Sequence, residues 1–207
     1  MNRAIWLIAL VAAVAGGAGV VIQFLIALDS RGTVLAALWR LASFYTYWVN
    51  VTVFLVMVSL VLAPGSPLTG PRVGLMITSS IVLVGLIYYG AIYNPDNDFP
   101  LRQKIAEHLL HAVVPVATLL IFLLRPHGAL RWRNVLWGVV PVFIYGNYLL
   151  ARGFLTDDWP YWFTDVPKLG LVGTIRNYVL LNGVFAVSTL IFIALDRAMA
   201  RFQPSGR

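Results

Sequence analysis

Five long apolar stretches and one shorter one follow each other along the chain, each closed by a cluster of prolines, glycines or charges. The first, Ile5 to Leu28, is interrupted only by Gln23, too long for the apolar core of a signal peptide and long enough to cross a bilayer. Val34 to Ala63 is longer than a ~30 Å hydrocarbon core requires at ~1.5 Å per residue. That predicts a span over 44–63 with either an interfacial lead-in before it or a helix reaching out of the membrane. Further spans are expected at 73–93, 105–124, 135–151 and 176–195. The fifth is short for a span and contains Pro141 and Gly146, which predicts a kink. The longest loop, Arg152 to Thr174, holds the aromatic run Trp159-Pro160-Tyr161-Trp162-Phe163. No repeat and no second domain are visible, so the expected fold is all-α: one bundle of six transmembrane helices.

Composition sharpens this reading. Of 207 residues, 60% are hydrophobic and 11% charged, and the mean hydropathy is +0.83, far above that of a soluble domain. The absence of cysteine excludes disulfides, zinc–thiolate sites and a cysteine nucleophile. A formal charge of +7 suits basic residues placed by membrane topology and anionic lipid, and no basic stripe of the kind that binds nucleic acid is present.

Six spans put both termini on one side of the membrane. That side, with the loops after spans two and four, carries eight Lys or Arg (Arg207 among them) against seven on the other, which favours cytoplasmic termini. The tyrosines are less even. All nine fall in the half of the membrane, or the loops, opposite the termini, whereas tryptophans occupy both ends. An aromatic belt draws tyrosine to both interfaces, so the one-sided set predicts a polar-lined pocket in the non-terminal half, with Tyr47, Tyr89, Tyr145 and Asn147 as lining candidates.

Two polar constellations enter the membrane from that side. In Ser43-Phe44-Tyr45-Thr46-Tyr47-Trp48-Val49-Asn50, Thr46 and Asn50 are four apart and share a helix face. In Glu107-His108-Leu109-Leu110-His111, Glu107 and His111 do the same. A hydroxyl is a poor nucleophile until a base takes its proton, and Thr46 with His111 is the minimal pair for nucleophilic acyl transfer. Each also has a purely structural reading: a hydroxyl bonded back to its own helix, and an imidazole bonded to a neighbouring one. The histidine order is not the His-Glu-x-x-His of a zinc helix, and no phosphate loop, dinucleotide fingerprint or Gly-x-Ser-x-Gly elbow occurs. No metal or other cofactor is expected.

Phe44-Tyr45-Thr46 with Asn50, Leu110-His111-Ala112-Val113-Val114-Pro115, the series Trp137, Pro141, Tyr145 at intervals of four, Arg152-Gly153, and Tyr161-Trp162-Phe163-Thr164-Asp165-Val166 occur in that order. Together they resemble the bacterial six-span Pr6Pr-type membrane proteins, relatives of the FAR-17a and androgen-induced-protein family. The animal members are intramembrane threonine hydrolases of fatty acid esters of hydroxy fatty acids. Carried over by motif, the nucleophilic threonine falls on Thr46 and the essential histidine on His111. The three residues between Thr46 and Asn50 follow the bacterial spacing, one longer than the animal pattern. The resemblance implies a lipid-ester hydrolase of the bacterial inner membrane with a fatty-acyl ester as substrate. On that mechanism Asn50 is a candidate oxyanion donor. By analogy with a catalytic triad, Glu107 or Asp165 is a candidate to orient His111. The competing expectation is a non-enzymatic lipid-binding or small transport protein.

Overall fold

The computed structural model describes residues 2–202; Arg207, one of the eight basic residues counted above, lies outside them. Among the described residues the fold is all-α, and six helices are long and apolar enough to cross a membrane: Arg3–Arg31, Tyr45–Leu62, Pro71–Ile92, Leu101–Leu124, Trp132–Thr156 and Val166–Ala200. The first of these is α1. It is followed by a short helix, α2 (Val34–Leu41), and then by α3 (Tyr45–Leu62). The third span is α4 (Pro71–Ile87) continued by a π-helical turn, Tyr88–Ile92. The fourth is α5 (Leu101–His108), a π-helical turn over Leu109–Val113, and α6 (Val114–Leu124). The last two are α7 (Leu136–Thr156), entered through a 3₁₀ turn at Trp132–Val135, and α8 (Val166–Ala200).

Helix α1 packs on α2, α3, α5 and α6, and α4 packs on α3, α6, α7 and α8. The main core lies along these seams, from Ala9, Ala12 and Ala13 of α1 to Val53 and Met57 of α3 and Ile81 of α4. Small residues let the backbones close up, as in other membrane bundles. At Gly85 on α4 an added Cβ would stand 2.8 Å from the backbone oxygen of His111. At Gly138 on α7 it would collide with the Thr189 side chain of α8.

Two expectations need correction. Helices α7 and α8 both overrun the long loop drawn at 152–174, which shrinks to 157–165, and the fifth span is 25 residues rather than short. Arg152, the charge that suggested a loop boundary, is instead 3% exposed inside α7. Its Nη1 donates to the Trp39 carbonyl (2.8 Å) and Tyr148 hydroxyl (3.1 Å), its Nη2 pairs with Asp158 (2.7 Å), and its guanidinium covers the Trp39 ring. A paired and stacked arginine does not end a helix. At the other end of the loop, Asp165 caps α8, and Gly170, at φ 68°, absorbs a kink within that helix.

The run 34–63 takes the lead-in form. Helix α2 packs against α1, and the chain turns at 42–44 before α3 starts. Among the ties that hold this turn, the Tyr145 hydroxyl donates to the Ser43 carbonyl at 2.6 Å, and the Tyr45 N–H donates to the Tyr161 hydroxyl at 3.3 Å. Burial pushes the Tyr161 phenol above its usual pKa, so it stays neutral.

Candidate active site at the mouth of α3

Helix α3 begins deep in the bundle. At the level of its first turn α1 still has eight residues to run, from Gln23 to Arg31, or about 12 Å at ~1.5 Å per residue. Phe44, at the N-cap position, supplies no side-chain acceptor. The Tyr45 N–H is taken by the Tyr161 hydroxyl and the Tyr47 N–H by the Phe44 carbonyl, and the positive dipole end of the helix opens beside Thr46 inside the bundle.

Thr46 stands in this first turn. Five other helical threonines, Thr52, Thr118, Thr156, Thr174 and Thr189, turn their hydroxyls back to the carbonyl four residues earlier. Thr46 does not. Its corresponding carbonyl, Ala42, precedes the helix and accepts from the Trp48 indole N–H at 3.0 Å. The Thr46 Oγ1 instead lies 3.5 Å from His111 Nε2.

His111 is 8% exposed and sits on the π-helical turn between α5 and α6. Its Nδ1 is 3.0 Å from the backbone oxygen of Glu107 and 3.0 Å from Glu107 Oε2. Both neighbours are acceptors, so the network assigns the proton to Nδ1 and leaves the Nε2 lone pair facing Thr46. The other Glu107 oxygen accepts from Gln23 Nε2 at 2.7 Å. The Tyr88 ring, on the second π-helical turn, stacks on the imidazole at 3.8 Å with an 11° tilt. One extra residue per turn re-aims a side chain, and such turns gather at functional sites. Here two of them bring Tyr88 and His111 face to face.

Of the two orienting candidates, Glu107 touches His111. Asp165 accepts from the Lys168 N–H at 3.2 Å and pairs with its ammonium at 2.8 Å, and so serves the start of α8. Asn50 is fully buried one turn below Thr46, but its amide nitrogen is engaged, donating to the Thr46 carbonyl (2.9 Å) and toward the Leu110 carbonyl (3.5 Å). That makes it a brace between α3 and the π-helical turn rather than a free donor. The donor that points nowhere else is the backbone N–H of Thr46, which bonds no group among the described residues.

The tyrosine pocket is smaller than the residue pattern predicts. Tyr45, Trp48, Tyr145 and Tyr148 pack against one another with ring centres 5.0–6.2 Å apart, tilted or edge-to-face, and these contacts fill the space the rings would otherwise line. Tyr47 meets the Ala27–Ala37–Leu41 cluster, and Asn147 is exposed, donating to the Phe143 carbonyl and the Tyr178 hydroxyl. Tyr89, 39% exposed, lies edge-on to Tyr88. A recess of about 50 Å³ on this side is lined by Tyr88, Tyr93, Glu107 and His108 among others.

The residues that the sequence pattern left unread are Gln23 and Tyr88. Gln23 had a signal, as the one polar residue of the first apolar run. Tyr88 had only its place among the one-sided tyrosines, since nothing local marks a π-helical turn. Among the described residues no cluster of three or more histidines and carboxylates forms a metal site.

Fold and composition together define an all-α integral membrane protein built on six apolar helices. No protein-family model, curated protein or solved structure matches the chain.

Proposed function

We propose that this protein is an intramembrane hydrolase of fatty-acyl esters. The observation that carries the reading is the relay Thr46–His111–Glu107–Gln23: a hydroxyl without a backbone partner, 3.5 Å from an imidazole whose far nitrogen is held by a carboxylate. His111 Nε2 takes the proton as Thr46 Oγ1 attacks the ester carbonyl, and Glu107 stabilises the imidazolium. The tetrahedral oxygen forms at the positive end of α3, where the Thr46 N–H and the helix dipole meet it. His111 then returns the proton to the departing alcohol. A water, activated by the same imidazole, cleaves the acyl-threonine and releases the fatty acid. A 3.5 Å separation is longer than a finished hydrogen bond, as is common before substrate closes a site.

The resemblance to the Pr6Pr-type and androgen-induced-protein families supports the same pair, and with it a place in the bacterial inner membrane with cytoplasmic termini. The site would then face the opposite leaflet. The substrate class is a lipid ester, because the relay sits among apolar helices.

The test is intact mass of the purified protein after reaction with an alkyl fluorophosphonate, run beside Thr46→Ala and His111→Ala. A single adduct mapped to Thr46 and missing from both variants is the expected result. A folded wild-type protein that takes up no adduct would overturn the hydrolase and favour lipid binding without turnover.

A further inference from the structure

A second cavity lies at the other end of the bundle, beside the chain termini. It holds about 270 Å³ between α3, α4 and α6, is walled by Met57, Leu60, Ile77, Ile121 and Phe122, and carries Arg125, His127 and Asp196 at its polar side. It is well separated from the candidate active site. Met57 alone is eleven residues along α3 from Thr46, or ~16 Å at ~1.5 Å per residue.

The three charged or titratable groups there are not equivalent. Asp196 is 3% exposed and has both oxygens engaged: Oδ2 accepts the N–H groups of Gly128 (3.1 Å) and Leu130 (3.0 Å), and Oδ1 lies 3.3 Å from His127 Nδ1. His127 also has its Nε2 3.2 Å from the Leu123 carbonyl. Arg125 is different. Its Nη2 donates to the Thr69 carbonyl at 2.7 Å, and its Nη1 fits against α4 where Gly74 lacks a Cβ. It forms no ion pair with any carboxylate among the described residues. Burial lowers its pKa, the mark of a desolvated cation.

Arg125 is half-buried, and a cation partly desolvated without a carboxylate partner gains from any anion that reaches it. A guanidinium presents a planar fork that matches a carboxylate or phosphate, and the space beside it is apolar. We propose that this cavity binds a single-chain lipid with an anionic head: the head on Arg125, the acyl chain between Met57, Leu60 and Ile121. The site lies in the membrane half opposite Thr46 and does not depend on the Thr46–His111 chemistry. A free fatty acid and a lysophospholipid-type phosphate share the recognised chemistry.

The test uses the full chain as the Thr46→Ala variant, which cannot hold an acyl-enzyme, in phosphatidylcholine nanodiscs. Palmitate and hexadecyl phosphate, each with a mid-chain diazirine, are photolysed with the protein and the adducts mapped by peptide mass spectrometry. Adducts are expected on Met57, Leu60 or Ile121. Arg125→Gln, which removes a desolvated charge and so should fold, is expected to reduce them by about 10- to 100-fold, the worth of a charge-assisted hydrogen bond. Diazirine-bearing hexadecanol should label the cavity as weakly as that variant. Thr78→Leu fills the cavity while leaving Arg125 in place, and should reduce labelling by both anions. Capture of palmitate alone identifies a fatty acid site, capture of the phosphate alone a lysophospholipid site. Adducts confined to the outward-facing Leu55, Leu120 and Leu124, or cavity labelling indifferent to both variants, would overturn the proposal. The fluorophosphonate result on the wild type is independent of either outcome.

Discussion

Gln23 and His111 grip the same carboxylate from opposite sides: Gln23 Nε2 donates to Glu107 Oε1 at 2.7 Å, and Glu107 Oε2 stands 3.0 Å from His111 Nδ1. Helix α1 is thereby tied to the imidazole although it supplies no reacting atom. Replacing Glu107 by Gln should slow fluorophosphonate labelling of Thr46 by up to about 10⁴-fold, the cost of the same acid-to-amide change in a catalytic triad, and by less as far as the Glu107 backbone oxygen alone keeps the proton on His111 Nδ1. Gln23→Leu should show a smaller loss of rate and cost roughly 1–3 kcal/mol of stability, because a half-buried carboxylate oxygen loses its donor. Labelling rates equal to wild type in Glu107→Gln would rule out the orienting role.

The Thr46 hydroxyl makes no bond to its own helix and meets only His111 Nε2 at 3.5 Å, so it should matter more to chemistry than to folding. Thr46→Val is expected to cost no more than about 1 kcal/mol, the net worth of one hydrogen bond, while losing all labelling. A large drop in thermal stability would mean instead that the hydroxyl is structural.

The π-helical turn at His111 leans on Gly85. An alanine there would place its Cβ 2.8 Å from the His111 carbonyl and 3.2 Å from Pro115 Cγ, so backbone must yield. We expect Gly85→Ala to cost about 1–3 kcal/mol, as overpacking does, and to depress labelling by moving the imidazole. Gly90, on the other π-helical turn, has nothing within 4 Å of an added Cβ; Gly90→Ala should leave both readouts unchanged, which makes it the matched control in thermal unfolding.

Tyr145 holds the lead-in to α3 by a single hydroxyl, at 2.6 Å from the Ser43 carbonyl, with Ser43 fully buried. Tyr145→Phe should cost roughly 1–3 kcal/mol, since the carbonyl is left without this donor in a place water does not reach. The same variant should label more slowly, because the turn at 42–44 sets where Thr46 begins. Unchanged stability with unchanged labelling would show that the turn is fixed without Tyr145, by its contacts to Tyr161 and Trp48.

How much of this was legible along the chain varies by element. The apolar runs at 5–28, 44–63, 73–93 and 105–124 locate the first four spans to within a few residues of Arg3–Arg31, Tyr45–Leu62, Pro71–Ile92 and Leu101–Leu124, because hydropathy is summed locally and a bilayer demands a fixed length of it. The last two spans were drawn short at Arg152 and Arg176, since a charge reads as a loop until its partners are known. Trp39 and Asp158 partner Arg152 through tertiary contact.

By itself, then, the sequence determined an all-α chain with six apolar helices, and it put Thr46, Asn50, Glu107 and His111 on shared helix faces, because burial and helical period depend on near neighbours. Tertiary structure alone decided the rest. It chose Glu107 over Asp165 beside the imidazole, engaged the Asn50 amide nitrogen, recruited Gln23 and Tyr88, and filled the space between Tyr45, Trp48, Tyr145 and Tyr148 while opening a cavity at the far end beside Arg125. The physical reason is range. Periodicity fixes the direction of a side chain on its own helix, whereas the depth at which α3 starts and the two π-helical turns are set by contacts between helices far apart in the chain.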